Sequence, residues 1–138
     1  MKAFNFSPNI HLASLFLRMF IGGMFFLHGI GKPLVAGMDS VLTGFKAQGF
    51  PAWTAYASTF VEIVAGLLLL TGSGVRVAAL VLMPITLGIL VYHFPNGWVF
   101  HRPGGGWEYP EMILVNLIAI FCLGAGKYHL RFPSLSKN

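Results

Sequence analysis

The sequence predicts an all-α integral membrane protein, a four-helix bundle with a loop or re-entrant segment between the third and fourth helices. Three observations carry that expectation. Hydrophobic residues make up 56% of the 138, and mean hydropathy is +0.74. Only 9% are charged, against roughly 25% in an average soluble domain, too few to cover a water-facing surface. Four apolar runs are long enough for a bilayer, which takes about 17 to 25 helical residues. The length suits one domain, residues 1–138, and leaves no room for a second core.

Each run is punctuated. The first spans about 12–30 and is closed by "GIGKP", because Pro33 disfavours helix at Lys32. Lys2 ahead of an apolar run has the look of a signal peptide. The run is long, however, contains Arg18 and lacks a small-x-small cleavage pattern, so it reads as a retained helix. The second, about 53–72, follows Pro51 and ends in "TGSG", a tight turn into the third, about 76–94. Pro84 predicts a kink in that third span, and "FPNG" ends it. The fourth, about 109–126, is the shortest, with Pro110 in its first turn, where a missing N–H costs nothing. Gly22, Gly23, Gly66 and Gly88 would allow close helix approach. The lone Cys122 excludes an intrachain disulfide or a CxxC redox pair and reads as a buried, inert thiol.

The net charge is +5 and the pI about 9.7. The cations sit at the ends of apolar runs and form no basic stripe, so the expected partner is membrane lipid, with no nucleic acid. Four crossings put both termini on one side with Lys2, Arg76, Lys127, Arg131 and Lys137. The other side carries Lys32, Lys46 and Arg102, with Asp39, Glu108 and Glu111. The positive-inside rule then places both termini in the cytoplasm and the protein in the plasma (inner) membrane.

Charges inside the spans are the informative feature. An arginine at mid-membrane costs about 2.5 to 3.5 kcal/mol on insertion scales. Arg18 lies deep in the first run and Glu62 deep in the second. Counted from the ends of two antiparallel helices, their depths differ by about 5 Å, within an arginine's reach. Arg18 and Glu62, joined by Asn116 of the fourth run, are therefore expected to form a deep polar pair. It is either a structural ion pair fixing register, or a pair that orders a ligand or relays a proton.

A second polar group lies at the outer end. His28 and Lys32 are four apart, on one helical face. His93 ends the third run, and "GWVFHRPGGGWEYPE" adds His101, Trp107 and Glu111. A metal site, a proton-linked redox site and an interfacial belt all fit these residue types. No HxxxH spacing occurs within one helix, so no metal is assigned. "PGGGW" follows no strand and precedes no "GK[ST]", which argues against a phosphate loop and for a flexible lid or re-entrant turn.

Taken in order, "R-x9-HGxxK" (Arg18, His28, Gly29, Lys32), "E-x3-G-LLLL" (Glu62, Gly66) with Gly72, and "GGGWEYPE…N…LGAGKYHL" resemble the DoxX family of small four-helix membrane proteins along nearly the whole chain. The ending differs: relatives often read "GxGxxSLD" where this chain has "GAGKYHLRF". The family takes its name from association with thiosulfate:quinone oxidoreductase, and some relatives are linked to oxidative-stress complexes or natural-product maturation. The resemblance implies a quinone-associated subunit or small component of a membrane redox system. Its polar cavity would open on the non-cytoplasmic side, with quinone as the implied cofactor and a redox protein as the implied partner.

A quinone suits such a cavity, since its tail can lie between helices while its carbonyls need donors. His28, Lys32, His93, Glu111 and Trp107 are the expected ligand-binding residues. Histidine and lysine supply the donors, and histidine can exchange protons near neutral pH. No dinucleotide fingerprint, CxxCH or iron–sulfur cysteine set is present, so the chain cannot carry electrons unaided. The alternatives are a non-enzymatic membrane scaffold that recruits a partner protein, and a small-molecule transporter, which would call for a homo-oligomer.

Overall fold

The computed structural model describes residues 8–130. Lys2, Arg131 and Lys137, used above for sidedness, lie outside the described residues. Five α-helices and no strand occur among the described residues: α1 (Ile10–Gly31), α2 (Met38–Ala47), α3 (Ala52–Thr71), α4 (Val75–His93) and α5 (Glu108–Leu123). Residues 10–36, 52–71 and 75–96 are long and apolar enough to cross a membrane. The expected fourth span is shorter than expected. α5 has 16 residues because the chain leaves the helix at Gly124, whose φ of 68° is left-handed, a conformation glycine tolerates.

α1 begins at Asn9, whose side chain accepts the Leu12 amide at 3.1 Å, an ordinary N-cap. It does not stop at Lys32. A π-helical turn, Lys32–Ala36, carries the chain on to Gly37. Pro33 has no amide to donate and its ring crowds the preceding turn, and the wider turn accommodates both. The long loop that should follow contains α2 instead. α3 ends at Gly72 in a left-handed cap, with the Gly72 amide on the Leu68 carbonyl at 2.9 Å, a common helix stop. α4 runs through Pro84 without interruption.

α1 packs on α3, α3 on α4, α4 on α5, and α5 closes back on α1. The core between them is Phe25, Ala65, Leu69, Val75, Ala78, Ala79, Leu82, Ile113, Leu117 and Ile120. Large side chains such as Phe20, Phe60, Val77 and Val91 face outward and exposed. That pattern is inverted for water and ordinary for a chain solvated by lipid. Cys122 is exposed as well, in the last turn of α5, rather than buried.

The α1–α3 contact is the tightest. A Cβ at Gly22 would sit 2.7 Å from Leu69 Cβ, at Gly29 2.7 Å from Ile63 Cγ1, and at Gly66 2.6 Å from the Phe26 amide nitrogen. Gly22 and Gly66 therefore act as expected, and Gly29 joins them. Gly23 meets only Leu70 Cδ2 at 4.0 Å, and Gly88 meets nothing within 4 Å, so neither brings helices together.

Candidate functional site

The buried face of α1 reads Ser14, Arg18, Gly22, Phe25, Gly29, a stripe at steps of three and four. Its glycines fix α1 against α3 so that Gly29 lies against Glu62 and Ile63. Lys32, one turn further on, reaches Glu62: Nζ is 2.8 Å from Oε1, with the two side chains 19% and 6% exposed. Nζ also donates to Ser58 Oγ at 3.2 Å and lies 5.6 Å from the centroid of the Phe45 ring on α2. Ser58 in turn donates to the Ala55 carbonyl at 3.1 Å. Glu62 Oε2 is buried and takes no hydrogen bond.

The expected pair of Arg18 with Glu62 does not form. Arg18 is separated from Gly29 by about 16 Å of helix at 1.5 Å per residue. It lies instead at the C-terminal end of α3, where Nη1 donates to the carbonyls of Leu69 and Leu70, each at 3.1 Å. These carbonyls belong to the last turn of α3, the negative end of its dipole, where a cation is stabilised. The depth count failed because α1 continues past Ile30 through the π turn, which moves its true end away from Arg18. Arg18 is thus a C-cap delivered from a neighbouring helix. Asn116 joins neither group; its Nδ2 donates back to the Met112 carbonyl at 2.7 Å.

A cavity of about 960 Å³ lies between α1, α3, α4 and the start of α5, with Phe45 of α2 and Gln48 just after it on its wall. Most of the lining is apolar, including Val61, Val81, Pro84, Ile85 and Ile113. Set into it are Lys32, Glu62, Ser58, His28 and His93. So three of the expected ligand residues, His28, Lys32 and His93, share one cavity, and Glu62 belongs with them rather than with Arg18. His28 Nδ1 is 2.8 Å from the Met24 carbonyl one turn back. His93 Nδ1 is 3.0 Å from the Gly104 carbonyl and 3.3 Å from that of Gly105.

Glu111 and Trp107 do not line this cavity; they hold the α4–α5 connection. Trp107 stacks on Phe94 with centroids 5.6 Å apart and meets Trp98 edge-on at 6.5 Å. Glu111 Oε2 accepts Trp98 Nε1 at 3.1 Å, and Glu108 Oε2 accepts the Phe100 amide at 3.2 Å. Asn96 Nδ2 donates to the Gly104 and Gly105 carbonyls at 3.0 and 2.8 Å. A Cβ at Gly106 would fall on the carbonyl oxygens of Trp98 and Val99. The "GGGW" run is a pinned roof over the cavity, not a loose lid. Among the described residues, no three of His, Cys, Asp and Glu come together as a metal-binding group.

The DoxX family model matches residues 13–102. This chain belongs to the DoxX family. The match takes in α1 to α4, with Arg18, His28, Lys32, Glu62 and His93. It stops in the α4–α5 connection, so the "EYPE…N…LGAGKYHL" portion of the resemblance lies beyond it. With this family and three candidate spans, the chain is a multi-pass membrane protein. It is 26% identical over 85 residues to the Bacillus subtilis (strain 168) protein named "Putative oxidoreductase CatD". The aligned part covers 62% of this chain and 62% of that relative. No solved structure matches.

Proposed function

We propose that this DoxX-family protein is a small component of a membrane redox system whose cavity holds the headgroup of a quinone. The observation that carries this reading is the Lys32–Glu62 ion pair, set into the wall of an otherwise apolar cavity of about 960 Å³ beside His28 and His93. Ligand sites of small molecules are typically apolar clefts of about 300 to 1,000 Å³ with a few placed polar groups. An ionisable pair inside a membrane protein marks a functional site by default. The size and chemistry fit a substituted ring with an apolar tail. The ring can meet the ion pair and histidines, while the tail lies along Val61, Val81 and Ile85.

The name of the B. subtilis relative supports the redox part of the reading. Because the chain carries no electron-transfer motif of its own, the bound quinone would be the electron carrier. A partner redox protein would exchange electrons with it near the α2 and α4–α5 connections. We count α5 as a fourth crossing because it packs along both α4 and α1. The termini are then cytoplasmic, in the inner membrane, and the cavity faces the other side. Photolabelling the purified protein with an azido-quinone tests the site. Labelled peptides should come from residues 24–32, 53–62 and 81–93, and label spread evenly over the lipid-facing surface would reject it.

A further inference from the structure

The hydrogen-bonding inventory of the cavity is lopsided, and the imbalance bears on which oxidation state of its ligand it holds. A carbonyl oxygen can only accept, so the ring nitrogens that touch carbonyls must carry the proton. His28 Nδ1 is committed to the Met24 carbonyl, and His93 Nδ1 to those of Gly104 and Gly105. In the neutral imidazole that leaves Nε2 of both rings bare, as an acceptor. The histidines therefore supply acceptors, the reverse of the donor role expected from residue type alone. Glu62 Oε2 is a third acceptor without a partner.

Donors are scarcer. Lys32 has three N–H groups, of which one goes to Glu62 Oε1 and one to Ser58 Oγ, leaving one. The hydroxyls of Ser58 and Thr86 are spent on the Ala55 and Leu82 carbonyls, and that of Tyr109 on Met24 Sδ. Trp53, also on the lining, adds one indole N–H, while Gln48 and Tyr92 can act either way, so the open acceptors still outnumber the open donors.

We propose that the cavity selects a headgroup that donates hydrogen bonds, an aromatic hydroxyl, over one that only accepts. This inference rests on the quinone reading above and deepens it: of the two forms of the ligand, the site favours the reduced dihydroxy form. A hydroquinone O–H can donate to His28 or His93 Nε2 while its oxygen accepts the remaining Lys32 N–H. A quinone carbonyl facing the same Nε2 sets acceptor against acceptor, and the bound ring would cover both from water with neither paired.

The test uses the full chain in mild detergent at pH 8. Equilibrium dialysis measures duroquinone in air and durohydroquinone under anaerobic dithionite. Durohydroquinone should bind at least about tenfold more tightly, the scale set by one acceptor that the bound ring covers without pairing. His28→Asn and His93→Asn keep a donor at the δ position and delete Nε2. One or both should lower this preference, by weakening durohydroquinone more than duroquinone. Equal affinity of the wild type for the two forms, or a preference for duroquinone, overturns the inference and leaves the quinone site standing. Undiminished preference in both variants overturns it as well. If neither form binds the wild type, the quinone site itself falls.

Discussion

Separating Lys32 from Glu62 should produce unequal losses, in a direction fixed by burial. The side chain of Glu62 is 6% exposed and that of Lys32 is 19% exposed. Lys32→Met takes away the one hydrogen-bond donor that Glu62 has among the described residues and strands a buried carboxylate. Breaking a buried pair this way costs about 3 to 5 kcal/mol. Glu62→Gln leaves an ammonium on a flexible four-carbon stem that can swing toward the open part of the cavity and stay hydrated. Its loss should be smaller, about 1 to 2 kcal/mol once discounted for that exposure. The double variant, with no charge left to strand, should recover most of the larger loss, a coupling on the order of 3 kcal/mol. SDS titration of the protein in mixed micelles reads these free energies. Additive losses, or a larger loss from Glu62→Gln than from Lys32→Met, would refute the pairing and its burial.

Arg18→Met removes two charge-assisted bonds to the end of α3 and should cost about 2 to 3 kcal/mol. Combined with Glu62→Gln it should be additive, since Arg18 meets the last turn of α3 at Leu69 and Leu70, about two turns beyond Glu62; coupling above about 0.5 kcal/mol would contradict their separation. Gly66→Ala places a methyl 2.6 Å from the Phe26 nitrogen and should cost about 2 kcal/mol or more in the same titration. Gly23→Ala, with open space, should be neutral or stabilising, because alanine is the better helix former. A reporter fused after Asn138 should be active in the cytoplasm alone, and periplasmic activity would reverse the proposed sidedness.

Much of the fold is legible in the sequence because its signals are local. Apolar runs give the long helices, Pro51 and the Gly72–Gly74 turn bound α3, and the bounds of α3 and α4 fall within a residue of expectation. α2 is missed because ten residues containing Asp39 and Lys46 carry no long apolar period and sit between a proline turn and "QGFP". The polar partners are misassigned for a different reason. Arg18, Lys32 and Glu62 all stand out as charges in apolar runs, but pairing depends on register, and register is set by contact between two helices. A signal for it exists: Gly22 and Gly29 are seven apart, on one face of α1, opposite Gly66. The π turn at Pro33 hides the true end of α1, so counting from the last apolar residue misjudges depth. Glu111 and Trp107 look like ligand residues because their chemistry suits a site, yet their partners across the α4–α5 connection are nonlocal.

Whether the cavity beside Lys32 and Glu62 holds a quinone can be tested with no assumption about activity. The chain is purified gently from membranes, extracted with organic solvent, and the extract quantified by mass spectrometry, beside a Gly88→Leu variant. Gly88 lines the cavity, and a Cβ there meets nothing within 4 Å, so a leucine can start without a clash and should take up part of the cavity. The wild type should carry close to one quinone per chain, and Gly88→Leu, equally stable in SDS titration, should carry only the background level. Background quinone in the wild type, or equal amounts in both proteins, would contradict the account.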